Sequence, residues 1–193
     1  MARPREFEPT EALNRAMYLF WQKGYQETSM EDLVQATGVS RYGFYNTFGD
    51  KQDLFAKAIT HYSNQVIHGT LSPMEQTTST VEDIYTYFNN LLISMQEPNA
   101  YMGCLIGNTA IQTIELEEQI AKQINSHYTR MQAAFQNALQ NSKNNGELQE
   151  SIDPTAFADF LVGIANGFLA GLHSGMTQAQ MQHFFDVALA SLK

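Results

Sequence analysis

The stretch from Met30 to Phe48, MEDLVQATGVSRYGFYNTF, decides the fold of this chain. It consists of two short segments with apolar residues at helical spacing, separated by a tight turn at Gly38. Val39 is expected to enter the core, while Ser29 and Ser40 are suited to cap the two segments. This arrangement predicts a helix-turn-helix.

In this motif the second helix enters the major groove of DNA. Phe44 and Phe48 are predicted to pack inward, which leaves the polar side of the helix outward. The residues predicted to contact DNA are Thr28, Ser40, Arg41, Tyr42, Gly43, Tyr45, Asn46 and Lys51. Arginine and asparagine can read base edges, whereas lysine and tyrosine can bind phosphate. A glycine at position 43 removes bulk and allows the backbone to approach DNA closely. The spacing alone also permits a small helical bundle that binds no DNA.

Apolar periodicity predicts helices along almost the whole chain and no strand. The predicted helices are 9–23, 28 or 29 to 37, 41–48, 50–68, 81–96, 99–113, 116–142, 154–174 and 177–191. Residues 69–80 are polar and lack a period, so they are predicted to be a connection. The expected fold class is therefore all-α, with about nine helices.

The formal net charge is −9, and its distribution is uneven. Residues 1–57 hold seven basic and eight acidic residues, whereas residues 58–193 hold four basic and twelve acidic ones. Phosphate contact is therefore expected in the first third of the chain. The single cysteine, Cys104, excludes an intramolecular disulfide, and there is neither a secretory signal pattern nor a long apolar run. A reducing cytoplasm is expected, without membrane association.

The region from Ala12 to Phe55 resembles the tetracycline-repressor (TetR) family of regulators. The resemblance rests on Ala16, Phe20, Gly24-Tyr25, Thr28-Ser29-Met30, Leu33, Gly38-Val39-Ser40, Phe44-Tyr45, Phe48, Lys51 and Leu54-Phe55. It implies a DNA-binding domain at 1–50 and a ligand-binding and dimerisation domain at 51–193, with helix 51–68 as the connector. It also implies that Thr28, Tyr45 and Lys51 contact phosphate, and that positions 41–43 touch bases. Tyr42 departs from the family, where this position is usually small.

The helices between residues 81 and 142 are rich in aromatic and methionine side chains, which can line an adaptable apolar pocket. The predicted pocket residues are Tyr87, Phe88, Leu91, Tyr101, Cys104, Leu105, Tyr128 and Met131. The alternative is that these residues form only the core. Residues 101–108 resemble a stretch found in family members that sense electrophiles or quinone-like compounds through a cysteine. For Cys104 the alternative is a buried, unreactive thiol.

The last two predicted helices are expected to form a dimer interface. The interface residues are predicted to be Phe160, Ile164, Gly167, Phe168, Phe184 and Phe185. Glycines within a helix lower its stability, so they need a reason such as close helix approach across subunits. A tight core within one chain would explain them equally well.

The sequence carries no phosphate-binding loop, nucleophile elbow or metal-ligand spacing, so neither an enzyme nor a metal or cofactor is expected. A Cys104–histidine pair remains the rival enzymatic interpretation, and a protein-binding helical adaptor is a second rival. The favoured hypothesis is a dimeric repressor of a palindromic DNA operator. A small lipophilic or electrophilic effector would release it from double-stranded DNA.

Overall fold

The computed structural model describes residues 7–112 and 118–192, and within them every regular element is helical. The helices are α1 (Pro9–Lys23), α2 (Met30–Thr37), α3 (Arg41–Phe48), α4 (Lys51–Tyr62), α5 (His68–Leu71), α6 (Val81–Ser94), α7 (Leu105–Gln112), α8 (Glu118–Asn144), α9 (Pro154–His173) and α10 (Gln178–Ala188). A π turn at Ser63–Ile67 joins α4 to α5, and 3₁₀ turns cover Ala100–Met102 and Ala190–Leu192. The all-α prediction is confirmed.

Capping residues set the beginnings of the first helices. The Ser29 hydroxyl accepts a hydrogen bond from the Asp32 backbone N–H at 3.1 Å, and the Asp32 carboxylate accepts from the Ser29 N–H at 2.8 Å. The same reciprocal arrangement between Asp50 and Asp53 begins α4. These bonds satisfy N–H groups that have no partner inside the helix.

The prediction of one continuous helix over residues 99–113 was wrong. Residues 99–113 do not form a single helix, because Gly103 adopts a left-handed φ of 61° between the 3₁₀ turn Ala100–Met102 and α7. A positive φ cannot continue a right-handed helix. The predicted end of this helix at residue 113 and the predicted start of the next helix at residue 116 both lie outside the described residues.

The chain divides into two compact units. The first contains the described residues of Met1–Gln65 and Cys104–Ile124, and the second contains Val66–Gly103 and the described residues of Asn125–Lys193. α7 therefore belongs to the same unit as the helix-turn-helix. The functional boundary at residue 50 stays a prediction, since it concerns function and not packing.

An aromatic core holds the helices of the first unit together. The Phe55 ring of α4 lies 4.8 Å from the Phe20 ring of α1 and 4.7 Å from the Tyr25 ring, measured between centroids. Leu33 of α2 is also fully buried. Burial of these rings fixes α1 and α4 as the scaffold against which α2 and α3 pack.

The second unit has its own aromatic core and one unusually apolar helix. The Phe88 ring of α6 stacks on Phe135 of α8 at 5.9 Å and contacts Phe185 of α10 at 4.8 Å. The most apolar window of α9 has a mean hydropathy of 1.5, yet only 33% of it is buried. Length and composition alone would let α9 cross a membrane, but this is weak evidence, because core helices of soluble proteins meet the same criteria.

Candidate nucleic-acid interface

The turn between α2 and α3 has the conformation that the sequence predicts. Gly38 ends α2 with φ 71° and ψ 8°, a left-handed conformation that glycine adopts without a Cβ penalty. The Thr37 hydroxyl donates to the Leu33 carbonyl at 2.7 Å and accepts from the Val39 N–H at 3.2 Å. Val39 is buried, so the turn is anchored on both sides.

α3 begins at this turn and presents one polar face. The Ser40 hydroxyl accepts a hydrogen bond from the Gly43 backbone N–H at 3.2 Å, which caps the helix. Phe44 and Phe48 are buried on the inner side. The exposed side chains of the outer side are Arg41, Tyr42 (79% exposed), Tyr45 (50% exposed) and Asn46. The predicted orientation of α3 is therefore confirmed, while the DNA contacts stay predictions.

Gly43 has a packing role within the protein. A Cβ at this position would lie 3.0 Å from Val39 Cγ1, 3.3 Å from Ser40 Oγ and 3.4 Å from the Phe7 ring. Phe7 also contacts the Phe48 ring, with centroids 6.5 Å apart. The glycine thus lets the segment before α1 lie against α3, a constraint beyond the predicted approach to DNA.

Lys51 lies at the first turn of α4, and its ammonium is placed by an aromatic ring. The Lys51 Nζ lies 4.4 Å from the centroid of the Tyr25 ring, a cation–π contact. Desolvation by burial lowers the pKa of Lys51, and the nearby Glu27 carboxylate opposes this shift. The Tyr25 ring restricts the long Lys51 side chain, so Lys51 would lose less conformational entropy on binding phosphate than an unrestricted lysine would.

Thr28 is the one predicted DNA-contacting residue that lies in the core. It is fully buried, and its hydroxyl donates to the Gly24 carbonyl at 2.7 Å. The Thr28 hydroxyl is thus engaged within the protein, and the predicted phosphate contact by this residue stays a prediction.

Two residues that support α3 were missed from the sequence. The Lys57 ammonium of α4 donates to the Phe48 carbonyl at 2.6 Å and so satisfies the C-terminal end of α3. Phe7 lies beside Gly43 and contacts the Phe48 ring. An apolar residue just before a helix could have indicated Phe7, but no local signal links Lys57 to a carbonyl nine residues away.

The predicted effector-pocket residues occupy different environments. Tyr87, Phe88, Leu105 and Met131 are buried, whereas Tyr101 is 61% exposed. Leu91 and Tyr128 are half-buried, and the Tyr128 hydroxyl donates to Asn166 Oδ1 at 2.9 Å. Cys104 and Leu105 belong to the first unit, while the other six belong to the second. Their role in binding an effector stays a prediction.

Cys104 is a half-buried thiol at the N-terminal end of α7. Its Sγ accepts a hydrogen bond from the Gly107 N–H at 3.5 Å. Burial raises the pKa of the Cys104 thiol, and hydrogen bonds from Gly107, the Tyr62 side chain and the Ile106 backbone counteract this shift. The net direction is upward, so the thiol is mostly protonated at neutral pH.

The predicted interface residues of α9 and α10 divide into buried and accessible sets. Phe168 and Phe185 are buried and stack on each other at 5.8 Å, whereas Phe160 is 45% exposed. Ile164, Gly167 and Phe184 are half-buried. A Cβ at Gly167 would lie 3.0 Å from Phe184 Cζ, so this glycine serves packing within the chain. A Cβ at Gly163 would meet nothing within 4 Å, and packing within the chain does not explain that glycine.

Comparison with known proteins agrees with this architecture. Residues 12–58 match the family of bacterial regulatory proteins called the tetR family, and residues 80–187 match the tetracyclin repressor-like C-terminal domain. The chain is 30% identical to the HTH-type transcriptional regulator YezE of Bacillus subtilis (strain 168), covering 100% of both chains. It is 28% identical to the HTH-type transcriptional repressor ComR of Escherichia coli (strain K12), over 99% of this chain and 90% of ComR.

A solved structure has the same fold. It is a cysteine mutant of the TetR family regulator CifR complexed with 26 bp operator DNA, and it superimposes with a TM-score of 0.87 at 22% identity. The superposition covers 98% of this chain and 99% of the CifR chain. Because both family models match and YezE aligns over its full length, this chain belongs to the TetR family of helix-turn-helix transcription regulators, and not to a class of enzymes.

Proposed function

We propose that this protein is a homodimeric repressor that binds a palindromic DNA operator through α3 and leaves it when a small lipophilic or electrophilic effector binds. The observation that carries the proposal is the outer face of α3, where Arg41, Tyr42 and Asn46 are exposed on a helix anchored by Phe44 and Phe48. The repressor name of ComR and the operator DNA in the CifR complex support it.

The side chains of this face divide by chemistry. Arg41 and Asn46 carry the donors and acceptors that recognise base edges, and Tyr42 adds apolar contact. Tyr45 can donate its hydroxyl to phosphate, and Lys51 supplies a positive charge. These roles require no movement of the buried residues behind α3.

A dimer is needed because a palindrome has two half-sites. In an isologous pair of this kind the two reading helices lie about 34–36 Å apart, which is one turn of DNA. Only 33% of the most apolar window of α9 is buried, and Phe160 on this helix is 45% exposed. Exposed apolar surface of this kind supports such a pair, since it marks an interaction surface.

The effector acts through a difference in affinity between two states. A ligand releases DNA only if it binds more tightly to the conformation that does not bind the operator. Cys104 immediately precedes α7 and lies in the same unit as the helix-turn-helix, which supports a route from effector to α3. A protein of this kind works in the cytoplasm, where its DNA lies.

The experiment selects the operator from random duplex DNA and then measures binding by fluorescence anisotropy. We expect affinity to fall about 100-fold or more between 50 and 200 mM salt, because several phosphates are neutralised. Arg41→Ala should weaken binding by about tenfold or more. Arg15→Ala is the matched control, since Arg15 is an exposed arginine paired with Glu11 on α1. Loss of affinity in both variants, or in neither, would contradict the proposal.

A further inference from the structure

Phe7 packs beside the first turn of α3, the part of a reading helix that faces base edges. Its Cε1 atom lies 3.4 Å from the position that a Cβ at Gly43 would occupy, and its ring centroid lies 6.5 Å from that of Phe48. Glu8 follows and caps α1, its carboxylate accepting a hydrogen bond from the Thr10 N–H at 3.3 Å. The chain segment that precedes Phe7 therefore starts next to the reading helix.

The segment before Phe7, residues 1–6, is rich in arginine. Its sequence is Met-Ala-Arg-Pro-Arg-Glu, in which Arg3 and Arg5 outnumber the single carboxylate of Glu6. The segment lies outside the described residues, but its attachment at Phe7 is described. Two positive charges are thus tied to within four residues of a side chain that contacts α3.

Most of the other basic residues of the first unit are bonded within the protein. These bonds are Arg15 with Glu11, Lys23 with Asp32, Lys122 with Glu118, and Lys57 with the Phe48 carbonyl. Among the described residues of this unit, only Arg41 and Lys51 are basic and have neither an ion pair nor a hydrogen bond from the charged group. Two such cations per subunit neutralise few phosphates, and Arg3 and Arg5 would double their number.

The possible reach of this segment matches the distance to the next groove of DNA. An extended chain spans at most about 3.6 Å per residue, so Arg5 can lie up to about 7 Å from Phe7 and Arg3 up to about 14 Å. A major groove about 12 Å wide is separated by one phosphate backbone from a minor groove about 6 Å wide. With α3 in the major groove, the arginine side chains can therefore cross that backbone.

The chemistry of the segment suits the minor groove. A narrow, A·T-rich minor groove has an enhanced negative potential, which attracts arginine side chains. Pro4 favours an extended backbone at the residue before it, and an extended chain is thin enough for a narrow groove. A site made of phosphates alone would not distinguish A·T from G·C pairs, whereas a minor-groove site would.

We propose that residues 1–6 bind the minor groove of A·T-rich DNA beside each operator half-site. Arg3 and Arg5 enter the groove, and Phe7 is the positioning residue that fixes them relative to α3. This binding rests on the proposed function, since it requires α3 in the adjacent major groove. It adds to the reading helix a second recognition element, which responds to the minor groove of the flanking DNA.

The test compares three duplexes that share the selected half-sites and differ only in the base pairs flanking them, which are A·T, G·C or inosine·cytosine. An inosine·cytosine pair lacks the guanine amino group, so it resembles A·T in the minor groove and G·C in the major groove. Fluorescence anisotropy should show that the wild type binds the A·T and inosine·cytosine flanks about tenfold more tightly than the G·C flanks.

The double variant Arg3→Ala with Arg5→Ala should bind all three duplexes equally. The slope of log affinity against log salt should become shallower by about 3 to 4, because each of the four charges lost from the dimer contributes about 0.9. The matched control is Arg15→Ala with Lys122→Ala, which removes the same charge from two exposed, ion-paired residues of the first unit. This control should keep both the flank preference and the slope.

Phe7→Ala tests the positioning role, since it keeps both arginines and removes the ring beside Gly43. We expect it to lose most of the flank preference while circular dichroism shows a folded protein. The preference is a ratio between duplexes, so a general loss of operator affinity does not change it. An unchanged preference in Phe7→Ala would refute the positioning role.

Two results overturn the minor-groove site while operator binding by α3 stands. One is equal binding of the three duplexes by the wild type, or a preference for A·T flanks that inosine·cytosine flanks do not reproduce. The other is a double arginine variant with the flank preference of the wild type. A wild type that selects no operator at all would instead overturn the proposed function, and the minor-groove site with it.

Discussion

Several residues of α3 that are predicted to contact DNA also have structural roles. Ser40 is exposed and also caps the helix, and Gly43 is compatible with DNA approach but is already required by contact with Val39 and Phe7. Tyr42 has neither constraint and is 79% exposed. We therefore expect substitutions at Tyr42 to change DNA recognition with little effect on folding, and substitutions at Gly43 to change both.

The reactivity of the Cys104 thiol decides whether this residue can sense an effector. Because burial raises its pKa, the thiolate fraction at neutral pH is below that of an ordinary cysteine. We expect iodoacetamide to alkylate Cys104 more slowly in the folded protein than in the urea-unfolded chain at pH 7. The folded rate should keep rising with pH beyond the usual thiol pKa, because the folded thiol loses its proton later.

The measurement is the rate of mass increase at several pH values. The urea-unfolded chain is the control, since it has the same single cysteine without the burial. A folded protein that reacts as fast as the unfolded chain, or faster, would contradict this account and would favour electrophile sensing through Cys104.

The features of α3 that could be predicted from the sequence depend on residues close to one another along the chain. The Ser40 cap joins residues three positions apart, and Phe44 and Phe48, which are both buried, recur at helical spacing. The bond from Lys57 to the Phe48 carbonyl and the cation–π contact of Lys51 with Tyr25 join residues that are distant in sequence. They depend on how α1, α3 and α4 pack, which no local pattern records.

At the scale of elements, capping and stop signals decided which helices were predicted correctly. α1 and α3 have the predicted ends because Gly24 stops the first and Ser40 begins the second. The interruption at Gly103 was missed, since an isolated glycine is compatible with both a helix and a break. Periodicity predicted that Phe44 and Phe48 pack inward, but it did not indicate which side chains of other helices their rings would meet.

α9 is predicted to form the dimer interface. Phe160→Glu should raise the dimer dissociation constant by about 30-fold or more, because a charge placed in an apolar interface costs about 2 kcal/mol. Sedimentation equilibrium would give the mass, which for the wild type should be twice the chain mass of 21.7 kDa.

The matched control is Ile93→Glu, which alters an exposed isoleucine on α6 outside the predicted interface. It should leave the protein dimeric. A wild type of single-chain mass, or a Phe160→Glu variant as dimeric as the wild type, would refute α9 as the interface.

At the scale of the whole molecule, the charge distribution and the proposed dimer symmetry both bear on how the protein binds DNA. The first 57 residues are nearly neutral with seven basic residues, and the remainder carries most of the −9 net charge. DNA therefore repels most of the chain and attracts only local positive charge near α3 and Lys51. In the proposed dimer, a pair of such surfaces would match two half-sites about one helical turn apart.

The central claim is that the outer face of α3 reads bases, and sequence selection from a random duplex library tests it most directly. The wild type should enrich an inverted repeat with half-site centres about 10–10.5 bp apart. Tyr42→Ala should change the base preference within each half-site, whereas Lys51→Ala should keep the preference and weaken binding uniformly. Enrichment of the same bases at the same frequencies by wild type and Tyr42→Ala, or no enrichment by the wild type, would contradict the claim.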